Sequence, residues 1–200
     1  NNANGGSVIN SKIHDNGRVV SDSETGGDRG GIGSYQGSGL TISGNELYRN
    51  AEDDSSGDFE ISIVSPSSAF TVGNNYVHVC IQGCIQIAEG GNDSIIAHNI
   101  IDYFGTTTNP SMSNGANSGI RIGGGALAAP TGVQIHNNTI VNGSTHGSST
   151  AGITFLAISA GSPTGAKVRN NIFYNNSCND VIVGNFDTTG LIFSNNNYYN

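Results

Sequence analysis

The chain has 200 residues, of which 35% are hydrophobic and only 11% are charged, and its formal net charge is −8. Its seven lysines and arginines are scattered singly, so the basic stripe that nucleic-acid binding requires is missing. No apolar run approaches the roughly 18 residues of a membrane-spanning helix. Composition therefore excludes a nucleic-acid partner and a membrane span, and only regular placement of the few apolar residues would let such a chain fold.

A short pattern, apolar-x-apolar-x-x-Asn-x-apolar, recurs along the chain. A degenerate first copy contains Val8, Ser11 and Ile13, with serine at the asparagine position. Later copies lie at residues 40–47, 70–77, 94–101, 133–140, 166–173 and 191–198, with Ser94 replacing one apolar residue. Their asparagines are 24 to 39 residues apart, and the longer intervals carry Gly/Ser/Thr/Asn-rich insertions. Such self-similarity predicts a stack of repeated units.

A second alternating segment lies between successive copies. Its members are residues 59–63, 84–88, 119–123, 152–156 and 180–183, with a weaker first member at 31–34. Each period then holds three short strands, joined by one sharp corner and two looser turns. Because such short strands cannot bury an apolar face alone, they must stack coil upon coil. The sequence predicts one all-β solenoid domain over residues 1–200, with about six or seven coils.

With its repeated corner asparagine, the chain resembles the right-handed parallel β-helix repeat family of the pectate-lyase-like superfamily, over about residues 7–199. In that family the corner asparagines form an internal ladder that satisfies buried backbone groups. The resemblance assigns this role to Asn45, Asn75, Asn99, Asn138, Asn171 and Asn196. Asparagine also tolerates the left-handed backbone expected at such a corner. Lyases, hydrolases, phage tailspikes, adhesins and structural repeats share this superfamily, so the fold leaves the function open.

In that superfamily, insertions such as residues 102–118 and 142–150 lead into the strand that bears the functional face. The outward residues of this strand would be Glu60, Ser62, Gln86, Arg121, Thr154 and Ile182. Gln86, Arg121 and Thr154 form a polar stripe suited to hydroxyl-rich ligands, and Glu60 extends it. The alternative, which the sequence favours, is a solvated Arg121 balanced by Glu60 or Glu89.

Catalytic groups are harder to find. A lyase that resembles this superfamily needs a basic residue and Ca²⁺-binding carboxylates, but Lys12 and Lys167 fall on the wrong face. Asp53 and Asp54 are the weak candidates for Ca²⁺, without a spaced ligand motif. A hydrolase needs paired carboxylates, and Glu60 with the two aspartates is the only candidate group. We therefore assign no catalytic residue.

The cysteines leave two alternatives open. Cys80 and Cys84 close a small disulfide loop in an oxidising compartment, or Cys84 is a small core residue of its strand. Cys178 is left over in either case. Scarce lysine and abundant Asn, Gly, Ser and Thr are typical of extracellular proteins, so we predict an extracellular or cell-surface location.

The sequence starts almost directly in the first coil and stops just after a corner. A capping helix or cover is not evident, so either the chain is an excerpt of a longer protein or its coils stack head to tail. The leading prediction is an extracellular structural protein that self-associates into a fibre or surface appendage. The alternatives are a polysaccharide-lyase-like enzyme acting on acidic polysaccharide with Ca²⁺, and a non-catalytic glycan-binding or adhesin module.

Overall fold

The structure, a computed structural model, is a right-handed parallel β-helix. It describes residues 4–16, 30–50, 59–64, 69–106, 117–123, 128–144, 150–157, 161–184 and 188–199. Within these ranges every strand pairing is parallel and no helix occurs. The predicted all-β fold is confirmed, and sheets of seven, seven and six strands give seven coils.

Each coil contributes one strand to each of three sheets, named A, B and C. Sheet A contains β1 (Asn4–Ile9), β4 (Ser38–Ser43), β7 (Thr71–Gly73), β10 (Ile95–Ala97), β13 (Gln134–His136), β16 (Lys167–Arg169) and β19 (Ile192–Ser194). Sheet B contains β2 (Lys12–His14), β5 (Glu46–Tyr48), β8 (Tyr76–Cys80), β11 (Ile100–Phe104), β14 (Thr139–Val141), β17 (Ile172–Tyr174) and β20 (Asn197–Tyr199). Sheet C contains β3 (Ile32–Tyr35), β6 (Phe59–Val64), β9 (Gly83–Ile87), β12 (Ser118–Ile122), β15 (Ala151–Phe155) and β18 (Asn179–Val183).

The core is a column of apolar side chains that face inward at the same position of successive coils. Sheet A supplies Ile42, Val72, Ile96, Ile135 and Val168, and sheet B supplies Leu47, Val77, Ile101, Ile140 and Phe173. All ten are at most 1% exposed. Each such side chain stabilises the fold by about 1.5–3 kcal/mol through burial, which a strand of three residues would not obtain without its neighbours.

The asparagine ladder is confirmed, and Asn99 shows its geometry. The backbone N–H and the side-chain Nδ2 of Asn99 both donate to Oδ1 of Asn138, each at 3.0 Å. Nδ2 also donates to the carbonyl oxygen of Val72 in the preceding coil, at 3.0 Å. Asn45, Asn75, Asn138 and Asn171 repeat this arrangement, and Asn196 receives its last bonds.

The expectation that the ladder asparagine itself takes left-handed backbone is wrong. Positive φ belongs to the residue just before it, for example Asn74 at 58°, His98 at 59° and Asn137 at 56°. This preceding residue makes the turn while the ladder amide stays buried. At the corner of Asn99 the turning residue is therefore His98.

A second sharp corner joins sheet B to sheet C, where only a looser turn was expected. One residue in each of six coils has φ between 51° and 56° here: Asp15, Arg49, Val79, Tyr103, Asn142 and Asn175. We call these residues the corner column. Because their chemical types differ, no repeated letter marks this corner in the sequence.

Candidate functional site

The predicted polar stripe on sheet C has the expected register. Gln86 pairs with Ser62 on one side and with Arg121 on the other, and Arg121 pairs with Thr154. The side chains are nevertheless covered, since Ser62, Gln86 and Thr154 are 4%, 5% and 0% exposed. Ligand binding by Gln86, Arg121 and Thr154 stays a prediction, and it would require these buried groups to become accessible.

Side chains of this polar stripe make contacts within the protein. Thr154 Oγ1 accepts a hydrogen bond from Ser118 Oγ at 2.8 Å. The guanidinium carbon of Arg121 lies 5.7 Å from the ring centroid of Phe59, which is fully buried. A cation held over an aromatic ring in this way is stabilised by the negative face of the ring. Arg121 is thus half-buried against Phe59 rather than simply solvated.

Glu60 does not point outward as the alternation predicted. It is fully buried, and its two carboxylate oxygens accept hydrogen bonds from the backbone N–H of Asn50 at 2.9 Å and from Asn50 Nδ2 at 2.6 Å. These bonds offset part of the cost of burying a carboxylate. The two side chains thus form a structural cross-link over the corner between sheets B and C, which we call a corner clip. Asp53 and Asp54, the other carboxylates proposed with Glu60, lie outside the described residues.

A disulfide fills the same position one coil further on. Tyr48 pairs with His78, so Asn50 and Cys80 correspond, and Glu60 corresponds to Cys84 in the same way. Cys80 and Cys84 are bonded and both are fully buried, so both alternatives for this pair hold together.

The same corner position holds a third clip near the other end of the helix. There Asn176 Nδ2 donates to Asp180 Oδ1 at 3.2 Å.

Cys178 is a free, half-buried thiol, and burial raises its pKa to about 11, which keeps it protonated and poorly reactive. These side chains therefore stabilise a corner, and none of them forms a reactive group.

Metal-binding clusters are not evident in the part of the chain that the structure describes. No group of three His, Cys, Asp or Glu side chains converges there. Lys12 and Lys167 lie on sheets B and A, as predicted, and so away from sheet C. The described residues also contain no helix long and apolar enough to cross a membrane.

Sheet B carries a stack of rings on its outer face. His14 and Tyr48 are parallel with centroids 4.8 Å apart, and His78 continues the stack at 4.8 Å. Glu46 accepts from Lys12 at 3.2 Å, and this contact raises the pKa of Lys12 and lowers the pKa of Glu46. His14, Tyr48 and His78 come from three successive coils, so this stack ties the coils together.

A cleft of 310 Å³ lies further along the helix, at the corner column. It is lined by Tyr103, Asn142, Gly143, Ser144, Asn175 and Ser177. We call it the tyrosine cleft. Tyr103 is 53% exposed and its ring is absent from the stacked pairs of sheet B, so the ring is accessible to a ligand.

The backbone explains why Tyr103 points outward. Its φ of +54° belongs to the left-handed region, which costs a bulky L-residue about 1–2 kcal/mol. The next residue, Phe104, is fully buried in the core and pairs with Cys80. Phe104 anchors the strand end while the left-handed turn holds the tyrosine ring at the surface. Strain of this kind is common at functional sites.

Hydrogen bonds orient the amides of the cleft. Asn175 Nδ2 donates to Asn142 Oδ1 at 2.7 Å, and Asn142 Nδ2 donates to Asp102 Oδ1 at 2.7 Å. The hydroxyl of Tyr76 donates to the other oxygen of Asp102 at 3.3 Å. Because a carboxylate only accepts, the direction of the whole chain is fixed. The cleft is therefore organised before any ligand arrives.

Comparison with known proteins found no match: no family model, no curated protein and no solved structure matches this chain. Strand register and the asparagine ladder thus carry the fold assignment, and the geometry of the cleft carries the functional argument.

Sequence reasoning missed the tyrosine cleft because its residues come from three different coils. The signal that was present is weak. Asn142 and Asn175 both follow a sheet B strand by one residue, at equal distance from their ladder asparagines. Tyr103 lies at the same distance from Asn99, but its residue type differs, and left-handed backbone is unusual for an aromatic residue.

Proposed function

We propose that the protein is a non-catalytic carbohydrate-binding module that works outside the cell and holds glycan in the tyrosine cleft. The observation that carries this proposal is the exposed ring of Tyr103 beside the oriented amides of Asn142 and Asn175. A sugar ring has an apolar face of C–H groups and an equator of hydroxyls. The first packs on an aromatic ring, and the second exchanges hydrogen bonds with amides and serine hydroxyls.

An extracellular location is supported by the disulfide between Cys80 and Cys84, because such bonds persist in oxidising compartments. Membership in the pectate-lyase-like superfamily belongs to the same proposal, and it is supported by the ladder and the three-sheet coil. End-to-end assembly into a fibre stays an alternative prediction. The cleft lies on the flank of the helix and needs no assembly to bind.

A polysaccharide-lyase-like activity is the second alternative and draws less support from the described residues. Its required base has no described candidate at the cleft, since no lysine or arginine lines it. The Ca²⁺ that such an activity would use depends on Asp53 and Asp54, which lie outside the described residues. Binding without turnover is therefore the function that the described geometry supports best.

The test is a glycan array followed by titration of the best ligand. Tyr103→Ala should weaken binding at least about tenfold, or about 1.4 kcal/mol, because it removes the stacking surface. Tyr35→Ala is the matched control, since Tyr35 is 66% exposed and lies on β3 away from the cleft. Three results would overturn the proposal: the unmodified protein binds no glycan, both variants lose affinity equally, or the bound glycan is cleaved.

A further inference from the structure

We infer that the tyrosine cleft accepts neutral sugars and discriminates against uronic acids and sulfated sugars. The inference rests on the proposed carbohydrate binding and adds the chemical class of the ligand. Its basis is the distribution of charge around the cleft, taken together with the fixed direction of the hydrogen-bond chain.

Two carboxylates stand next to the cleft. Asp102 holds the side chain of Asn142 directly, at 2.7 Å. Asp180 lies behind the floor, since it accepts from Asn176, whose Oδ1 in turn accepts the backbone N–H of Gly143 at 2.8 Å. The six lining residues that the structure describes are themselves uncharged. An anionic sugar would enter this negative potential without compensation, and like charges at short distance are repulsive.

The described basic side chains lie on other parts of the helix. Lys12 is bonded to Glu46 on sheet B near the first coil, and Lys167 lies on sheet A. Arg49 belongs to the same corner column as Tyr103, but its guanidinium donates to Asp15 at 2.8 Å, toward the first coil. Arg121 lies over Phe59 at sheet C, and Arg169 donates to Gln134 on sheet A. Within the described ranges, no basic side chain therefore faces an acidic ligand in the cleft.

The hydrogen-bonded side chains of Asn175 and Asn142 also disfavour an anionic ligand. Asn175 points its nitrogen at Asn142, so its oxygen is turned away from that neighbour. An amide oxygen only accepts hydrogen bonds, and so does a carboxylate or sulfate, whereas a sugar hydroxyl both donates and accepts. A neutral polyol can satisfy such an acceptor, but an anionic group placed there would leave two acceptors facing each other.

The experiment compares matched neutral and acidic polymers that differ only at C6. Polygalacturonate and its carboxyl-reduced form make one pair, and polymannuronate and its carboxyl-reduced form make another. We expect the full chain to bind at least one neutral member with a Kd at least tenfold lower than that of its uronate counterpart. Raising the salt from 0.01 to about 0.5 M should lower the ratio of the uronate Kd to the neutral Kd, because screening weakens the repulsion.

A charge variant tests the cause. Asp102→Asn keeps an oxygen acceptor for Asn142 and removes the charge. The ratio of the uronate Kd to the neutral Kd should therefore fall at least threefold. Equal or tighter uronate binding by the unmodified protein would overturn the inference while leaving carbohydrate binding intact. Loss of all binding in both pairs and on the array would instead overturn the proposed function. If Asp102→Asn does not fold, the salt dependence alone decides.

Discussion

The side-chain nitrogen of Asn138 donates to Oδ1 of Asn171 at 3.0 Å, and both side chains are at most 1% exposed. Asn138 also donates from its backbone N–H to the same oxygen, and from Nδ2 to the carbonyl of Ile96. A single amide therefore links three coils. The ladder is thus a continuous element whose interruption should affect the entire stack.

We expect Asn138→Ala to lower the free energy of unfolding by about 1–3 kcal/mol, because it leaves buried backbone and amide groups of its neighbours without partners. Thermal or urea unfolding measures the effect. Asn197→Ala is the matched control, since Asn197 is exposed at the start of β20 and should change stability little. A melting temperature of Asn138→Ala equal to that of the control would refute the energetic role of the ladder.

The ladder could be predicted from sequence because one side chain alone fits its role. A buried carboxamide that both accepts from one coil and donates to another can hardly be replaced, so the letter Asn repeats at Asn45, Asn75 and Asn99. The inward columns were predictable for a similar reason, since burial demands apolar residues at alternating positions.

The corner column and the cleft could not be predicted in this way. At the corner column only the backbone conformation is shared, and residues as different as Val79 and Asn175 adopt it. Glu60 misled the alternation rule because it looks like an outward polar residue of β6. Its carboxylate is instead retained by Asn50, a contact between two sheets that strand periodicity does not encode.

A second prediction concerns the core. Ile135→Asp should prevent folding, because it places an unpaired carboxylate at a fully buried position of sheet A. Ile100→Asp is the matched control, since Ile100 on the outer face of sheet B is 48% exposed and its replacement should leave a folded protein. Circular dichroism of the soluble fraction distinguishes the two outcomes. A folded Ile135→Asp protein would contradict the inward column.

The disulfide gives a third prediction. Cys80→Ala with Cys84→Ala should destabilise the protein by about 2 kcal/mol, as expected for a short loop in the chain-entropy account. Because both sulfur-bearing residues are fully buried, the folded protein should also resist mild reductant. Cys178→Ala provides the control for loss of a thiol alone. Rapid reduction under native conditions, followed by mass spectrometry, would show that this corner opens.

The corner column allows a prediction in which stability rises. Val79 and Tyr103 both have left-handed backbone, with φ of 51° and 54°, and a non-glycine residue pays about 1–2 kcal/mol there. Asparagine and glycine tolerate this region, so Val79→Asn and Tyr103→Asn should each raise the free energy of unfolding, by up to about 1 kcal/mol. Urea unfolding monitored by circular dichroism is the measurement.

The two variants should differ in glycan binding. Val79 does not line the tyrosine cleft, so Val79→Asn should keep the affinity of the original protein, whereas Tyr103→Asn should lose at least tenfold. A stabilised protein that no longer binds would mean that the strained tyrosine is maintained by its function, at a cost in stability. If Tyr103→Asn were destabilised instead, the ring would be needed for packing, and its exposure would not mark a binding surface. Comparing both variants in one titration series separates relief of backbone strain from loss of the ligand contact.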